Sequence, residues 1–106
     1  RYTWSHEGRP CEGILLLGDD VKAGRCDAAW SDSFHHGHRL MPLTGPVRGD
    51  GTADLRGSYP APPGPDWGWR ITLEHPTADT LLLRMFNITP DGTEALAVEA
   101  SYARRR

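Results

Sequence analysis

Eight short runs of strand-like composition, at residues 2–7, 11–17, 25–34, 39–44, 52–59, 67–74, 80–88 and 93–103, occupy nearly the whole chain. Turn-forming residues separate them, and no stretch spaces its apolar residues as a long amphipathic helix would. Short strands at even spacing, broken by Gly, Pro, Asn and Asp, are the pattern of an antiparallel meander that curls into a barrel. The expected fold is therefore all-β, an up-and-down meander of about eight strands forming a β-barrel. With 106 residues there is room for one such core and no second, so residues 1–106 are read as a single domain.

Charge and hydropathy remove two classes of partner. Twelve basic against fourteen acidic side chains leave a formal net charge of −2, which gives nucleic acid no basic face to grip. The three arginines at 104–106 are too short a tail to alter this. The longest apolar runs, such as 14–17 and 81–83, fall far below the ~20 residues of a helical membrane span. Neither nucleic acid nor membrane is an expected partner. The chain opens at Arg1 without a methionine or a signal-like apolar region, which reads as a trimmed N-terminus and a cytoplasmic location.

Two cysteines flank the first long hairpin. With its loop centred near Val21, Cys26 lies opposite Leu16, five positions or about 17 Å of strand from Cys11. That separation is too great for a disulfide, so two free thiols are expected, as suits a reducing compartment.

The turns assign residues to faces. In Thr89-Pro90-Asp91-Gly92, proline pre-sets the first turn position and glycine supplies the left-handed residue of a bulged hairpin. Counting back from it places Asn87 opposite Ala95, Met85 opposite Ala97 and Leu83 opposite Glu99 on one face. A similar count through residues 75–78 adds Trp67, Trp69, Ile71 and Leu73 to that face, and Arg70 and Thr72 to the other. Large aromatics facing small residues leave space between them, so this first face is assigned to the barrel interior. The outward face then carries Leu82, Phe86, Ile88, Leu96, Val98 and Tyr102, too much apolar surface for bare solvent. A homodimer through the last strands is the expected cover.

Candidate chemistry is sparse. Residues 60–65 hold four prolines and lead into Trp67, a stiff segment expected to frame the barrel entrance. His35, His36 and His38 sit at a tight turn, but no spaced Cys, Asp or Glu set completes a metal site, and neither metal nor cofactor is expected. Asp32 alternates with Trp30 and Phe34, which makes it either hydrogen-bonded near a barrel end or enclosed with a raised pKa. Glu99, placed on the inner face without a partner, is the leading functional carboxylate. No Gly-x-Ser-x-Gly, phosphate-binding glycine loop or His-Glu-x-x-His is present.

Trp30-Ser31-Asp32-Ser33-Phe34, Arg70-Ile71-Thr72-Leu73, Asp91-Gly92-Thr93-Glu94 and Glu99-Ala100-Ser101-Tyr102-Ala103-Arg104 resemble segments of domain-of-unknown-function family 1579. They are also similar to the wider calycin-type, lipocalin-like barrels, with Trp4 matching the early tryptophan common near their start. The resemblance spans most of the chain in short pieces. It implies a calycin-like barrel able to enclose a small apolar ligand, and it transfers no functional residue.

Together these readings anticipate a binding protein for a small apolar or aromatic molecule. The ligand enters beneath the proline segment, meets Trp30, Trp67, Trp69 and Met85, and is oriented by Asp32, Asn87 or Glu99. The alternative is a small isomerase, cyclase or hydrolase with Asp32, Glu99 or His6 as general acid or base in the same cavity. A third reading is a filled, purely structural dimer.

Overall fold

In the computed structural model, which describes residues 1–35 and 39–105, the chain forms one eight-stranded antiparallel sheet in strict sequence order. The strands are β1 (Tyr2–His6), β2 (Arg9–Asp20), β3 (Arg25–Asp32), β4 (Met41–Pro46), β5 (Ala53–Tyr59), β6 (Trp67–Glu74), β7 (Thr80–Ile88) and β8 (Glu94–Ala103). Each overlaps a run read from sequence, with β2 extending further at both ends, β3 ending two residues earlier and β4 lying two residues later. Among the described residues no helix is long and apolar enough to cross a membrane.

Alternation along the strands builds the core. Trp30, Leu43, Leu55, Trp69, Ile71 and Met85 turn to the concave side, where Leu55 and Ile71 are wholly buried. The sheet curls round this core as a half-barrel and stops. Among the described residues β1 pairs with β2 and β8 with β7, and no ladder joins β1 to β8. A closed barrel is thus replaced by an open seam.

The last hairpin corrects the expected faces. Gly92 takes the left-handed conformation its turn requires, at φ +93°, and Asn87 faces Ala95 as anticipated. Then the register slips: Phe86 faces Leu96 but Met85 faces Val98, leaving Ala97 as the extra residue of a β-bulge. One inserted residue exchanges the two faces of the strand beyond it. Val98, Ala100 and Tyr102 therefore look inward, and Glu99 looks outward beside Arg84, whose Nε donates to Oε2 at 3.0 Å. The expected outward apolar strip loses Val98 and Tyr102. Leu82, Phe86, Ile88 and Leu96 remain, and the Arg70 guanidinium lies over the Phe86 ring at 5.2 Å.

Arg70 also holds the convex surface together. Its Nε and Nη2 donate to Asp54 at 2.8 and 3.0 Å, and its Nη1 reaches Glu94 of β8 at 3.1 Å. This fork-like pairing, with Arg48 on the same carboxylate, holds the Asp54 carboxyl below its usual range. In the first hairpin the turn lies later than expected, and Cys26 faces Asp19 rather than Leu16. Cys11 and Cys26 are both buried and free, some eight positions or about 27 Å of strand apart.

Where β4 and β5 meet, the two backbones come unusually close. A Cβ on Gly45 would lie 1.8 Å from the Asp54 carbonyl oxygen, whereas one on Gly18 would meet nothing nearer than 3.6 Å. Gly45→Ala should therefore destabilise the fold by about 2–3 kcal/mol and Gly18→Ala by far less, a contrast that thermal unfolding followed by circular dichroism can measure. Equal melting temperatures for the two variants would contradict the close approach.

Candidate functional site

Across β1, β2 and β3, Tyr2 faces Gly13 and Gly13 faces Asp32. A Cβ on Gly13 would strike the Tyr2 hydroxyl at 2.2 Å, so glycine clears the path by which the phenol crosses β2. The Tyr2 hydroxyl then donates to Asp32 Oδ2 at 2.6 Å and accepts from Trp30 Nε1 at 2.8 Å. Trp4 Nε1 donates to the same Oδ2 at 3.2 Å. Oδ1 accepts from the backbone N–H groups of Phe34 and His35, at 2.8 and 3.3 Å, turning the chain sharply after β3. The turn brings His35 Nδ1 to 3.2 Å from Oδ1.

Asp32 is 2 % exposed, yet it is the ionised form that this shell stabilises. Burial, the largest single influence, pushes its pKa up. The Tyr2 hydroxyl, the Phe34 N–H and the adjoining His35 together outweigh it, and the carboxyl titrates below its ordinary range. Burial and the neighbouring Asp32 conversely raise the Tyr2 hydroxyl well above a free tyrosine. Of the two environments open to Asp32 from sequence, the hydrogen-bonded strand end is the one found.

His35 is walled by aromatic rings. It stacks near Trp4 at 5.9 Å, lies 5.4 Å from Trp30 and 5.6 Å from Trp69, and meets the edge of Phe34 at 5.0 Å. Trp30 and Trp69 are themselves stacked at 5.2 Å. This imidazole stands between two adjoining cavities that share Trp30, His35 and Ala97. The first, about 440 Å³, occupies the open seam between Tyr2 and Trp4 of β1 and Val98, Ala100 and Tyr102 of β8, with Leu83 and Met85 as its floor. The second, about 470 Å³, lies at the rim, bounded by Phe34, Arg39, Tyr59, Pro60, Trp69 and Asn87. The bulged Ala97 adds its small side chain to both.

The residues singled out from sequence divide between these spaces. Trp30, Asp32 and Met85 border the seam cavity, and Trp30, Trp69 and Asn87 the rim cavity. Trp67 borders neither. Glu99 flanks the seam, but its carboxylate is paired outward with Arg84, because the bulge reverses the face on which it was placed. Pro60 frames the rim as the proline segment was expected to do. His6 sits apart from both cavities, between Trp4 and Phe34, with Glu7 at 4.0 Å.

Sequence reasoning left Tyr2, Trp4, Arg39 and Tyr59 out of the site and weighed His35 only as one of the turn histidines. One signal for His35 was available: an aspartate at a strand end can accept from the backbone two and three residues on, which folds residue 35 back over the strand. Among the described residues no three His, Cys, Asp or Glu gather as metal ligands. His36 and His38, part of the turn cluster noted in the sequence, lie outside the described residues.

Because the Asp32 and Asp54 carboxyls titrate below their unfolded values, their contribution is complete above about pH 4 and is lost as pH falls through the folded values. Asp32→Asn should cost about 3 kcal/mol at pH 7 and give a shallower acid limb, the remainder coming from Asp54 and from Asp50 and Asp91, whose carboxyls also titrate below their ordinary range. Urea unfolding from pH 7 down to pH 2 tests this, and an unchanged acid limb would remove Asp32 as its source.

A family model described as "Protein of unknown function (DUF1579)" matches residues 1–104. No curated protein and no solved structure matches the chain.

Proposed function

The chain belongs to the DUF1579 family of proteins of unknown function, and from that premise we propose that it binds a small apolar or aromatic molecule inside a calycin-like half-barrel. The observation that carries this reading is the pair of adjoining cavities walled by Trp4, Trp30, Trp69, Tyr2 and Met85. Each has the volume of a small-ligand pocket, with apolar walls and few polar groups, the composition such pockets share. The open seam supports the same reading. A sheet that closed on itself around filled side chains would have no such space between its first and last strands. Cytoplasmic residence belongs to this proposal and is supported by the two buried free thiols.

One observation favours a second reading, an enzyme acting in the same space. Asp32 holds the Nδ1 side of His35 within 3.2 Å, the arrangement by which a carboxylate fixes the tautomer of a general base. His35 replaces Asp32 and Glu99 in that role, because both carboxylates are already engaged.

Native mass spectrometry of the protein purified from its own host should show a retained small molecule. Ala100→Phe, which fills the seam beside Leu83, should remove it while leaving the circular dichroism spectrum unchanged. A folded variant that retains the molecule would exclude the seam as its site. Incubating the extracted molecule with the protein separates the two readings: conversion by the wild type and not by His35→Gln establishes turnover, and recovery of the unaltered molecule establishes binding alone.

A further inference from the structure

Two strands of the sheet keep an unpaired edge, and the two edges differ. β1 is five residues long, the short kind of edge that natural sheets leave open. β8 runs for ten residues without a proline or lysine, and among the described residues its backbone bonds to no strand but β7. Its one irregularity, the bulge at Ala97, leaves residues 98–103 in regular register. Both of its carboxylates are drawn back onto their own sheet, Glu94 to Arg70 at 3.1 Å and Glu99 to Arg84 at 3.0 Å, so neither guards the edge. Leu96, 54 % exposed, and Tyr102, 37 % exposed, leave apolar surface on both faces of the strand. A long, apolar, unguarded edge is a template for another strand.

Charge selects the strand that fits. Arg84 serves both Glu74 and Glu99, so the convex face beside β8 holds one carboxylate in excess. Just past the end of β8, Arg104 lies 3.8 Å from Asp79, and Arg105 forms no ion pair with a described carboxylate. β8 is thus acidic along its length and basic beyond its end, complementary to its own sequence when antiparallel and repelled by it when parallel. We propose that β8 pairs with β8 of a second copy, antiparallel about a twofold axis centred on Ser101. Side chains alternate between faces, so the axis must pass through a residue and not between two. Centring on Ala100 would run the ladder into the bulge, and centring on Tyr102 would set the two bulkiest side chains against each other. At Ser101, Tyr102 of each copy covers Ala100 of the other on the concave side, large against small. On the convex side Glu99 faces Ala103 and has Arg105 as its diagonal neighbour, the second cation its surroundings lack. This surface stands whether or not the interior binds a ligand.

Ser101→Cys tests the register. Cys11 and Cys26 are buried, so the introduced thiol is the exposed one. Directly opposed Cα atoms of an antiparallel pair lie about 4.5–5.5 Å apart, within disulfide reach. Oxidation should therefore link Ser101→Cys into a covalent dimer, and link Ala103→Cys, which shares the convex face but meets Glu99, about tenfold less. Sedimentation equilibrium of the wild type should return twice the mass of one chain. Ser101→Arg, which places like charges on the axis at an exposed position, should weaken the dimer at least about tenfold and leave the circular dichroism spectrum unchanged. A wild-type chain still monomeric at about 1 mM would overturn the proposal. So would a dimer that Ser101→Arg leaves intact, a Ser101→Cys variant that stays unlinked, or an Ala103→Cys variant that links as readily.

Discussion

One buried negative charge organises the concave side of this protein. Asp32 gathers hydrogen bonds from Tyr2 and Trp4 of β1 and from the backbone of the turn after β3, and it holds His35 beside it. A carboxylate this enclosed is tolerable only when donors replace the water it has lost. Each donor is therefore fixed in position by the charge it serves. Through Tyr2, the short β1 is anchored to β3 as well as to its hairpin partner, and through His35 the turn is folded over the stacked Trp30 and Trp69. The cavities are what remains between groups that the carboxylate has already placed.

Strand positions were legible because the meander leaves a local mark at every hairpin, and turn counting placed Trp69, Ile71, Leu73, Leu83 and Met85 correctly on the concave face. The count failed at Ala97, since a bulge leaves no periodic trace and reverses everything beyond it. Two awkward features were nevertheless its consequences: a carboxylate at Glu99 with no partner inside, and excess apolar surface outside. A single skipped residue removes the first and reduces the second, sending Glu99 out to Arg84 and bringing Val98 and Tyr102 in while Leu82, Phe86, Ile88 and Leu96 stay outside.

The site was legible in part. Trp30, Asp32, Trp69, Met85 and Asn87 follow from alternation along individual strands. Tyr2 and Trp4 do not, because their roles arise from contacts between elements some thirty residues apart, such as Tyr2 with Asp32, whereas His35 is placed by a local bond to Asp32 that the sequence did signal. Those contacts depend on how far the sheet curls and on where β1 comes to rest. Trp67 illustrates the opposite limit: it shares parity with Trp69 along β6, but lies nearer the strand end and borders neither cavity.

The unpaired seam has a kinetic meaning as well as a spatial one. Among the described residues every backbone ladder joins strands consecutive in sequence, so none of these ladders waits for the two ends of the chain to meet. A closed barrel must bring its first and last strands together across its whole length, the slowest kind of search for an all-β chain. Here each hairpin can zip with its neighbour at modest entropic cost, and the long-range encounters left are side-chain contacts, such as those around Asp32, between the stacked tryptophans and from Arg70 to Glu94. The gap between β1 and β8 also spares the chain its most distant search.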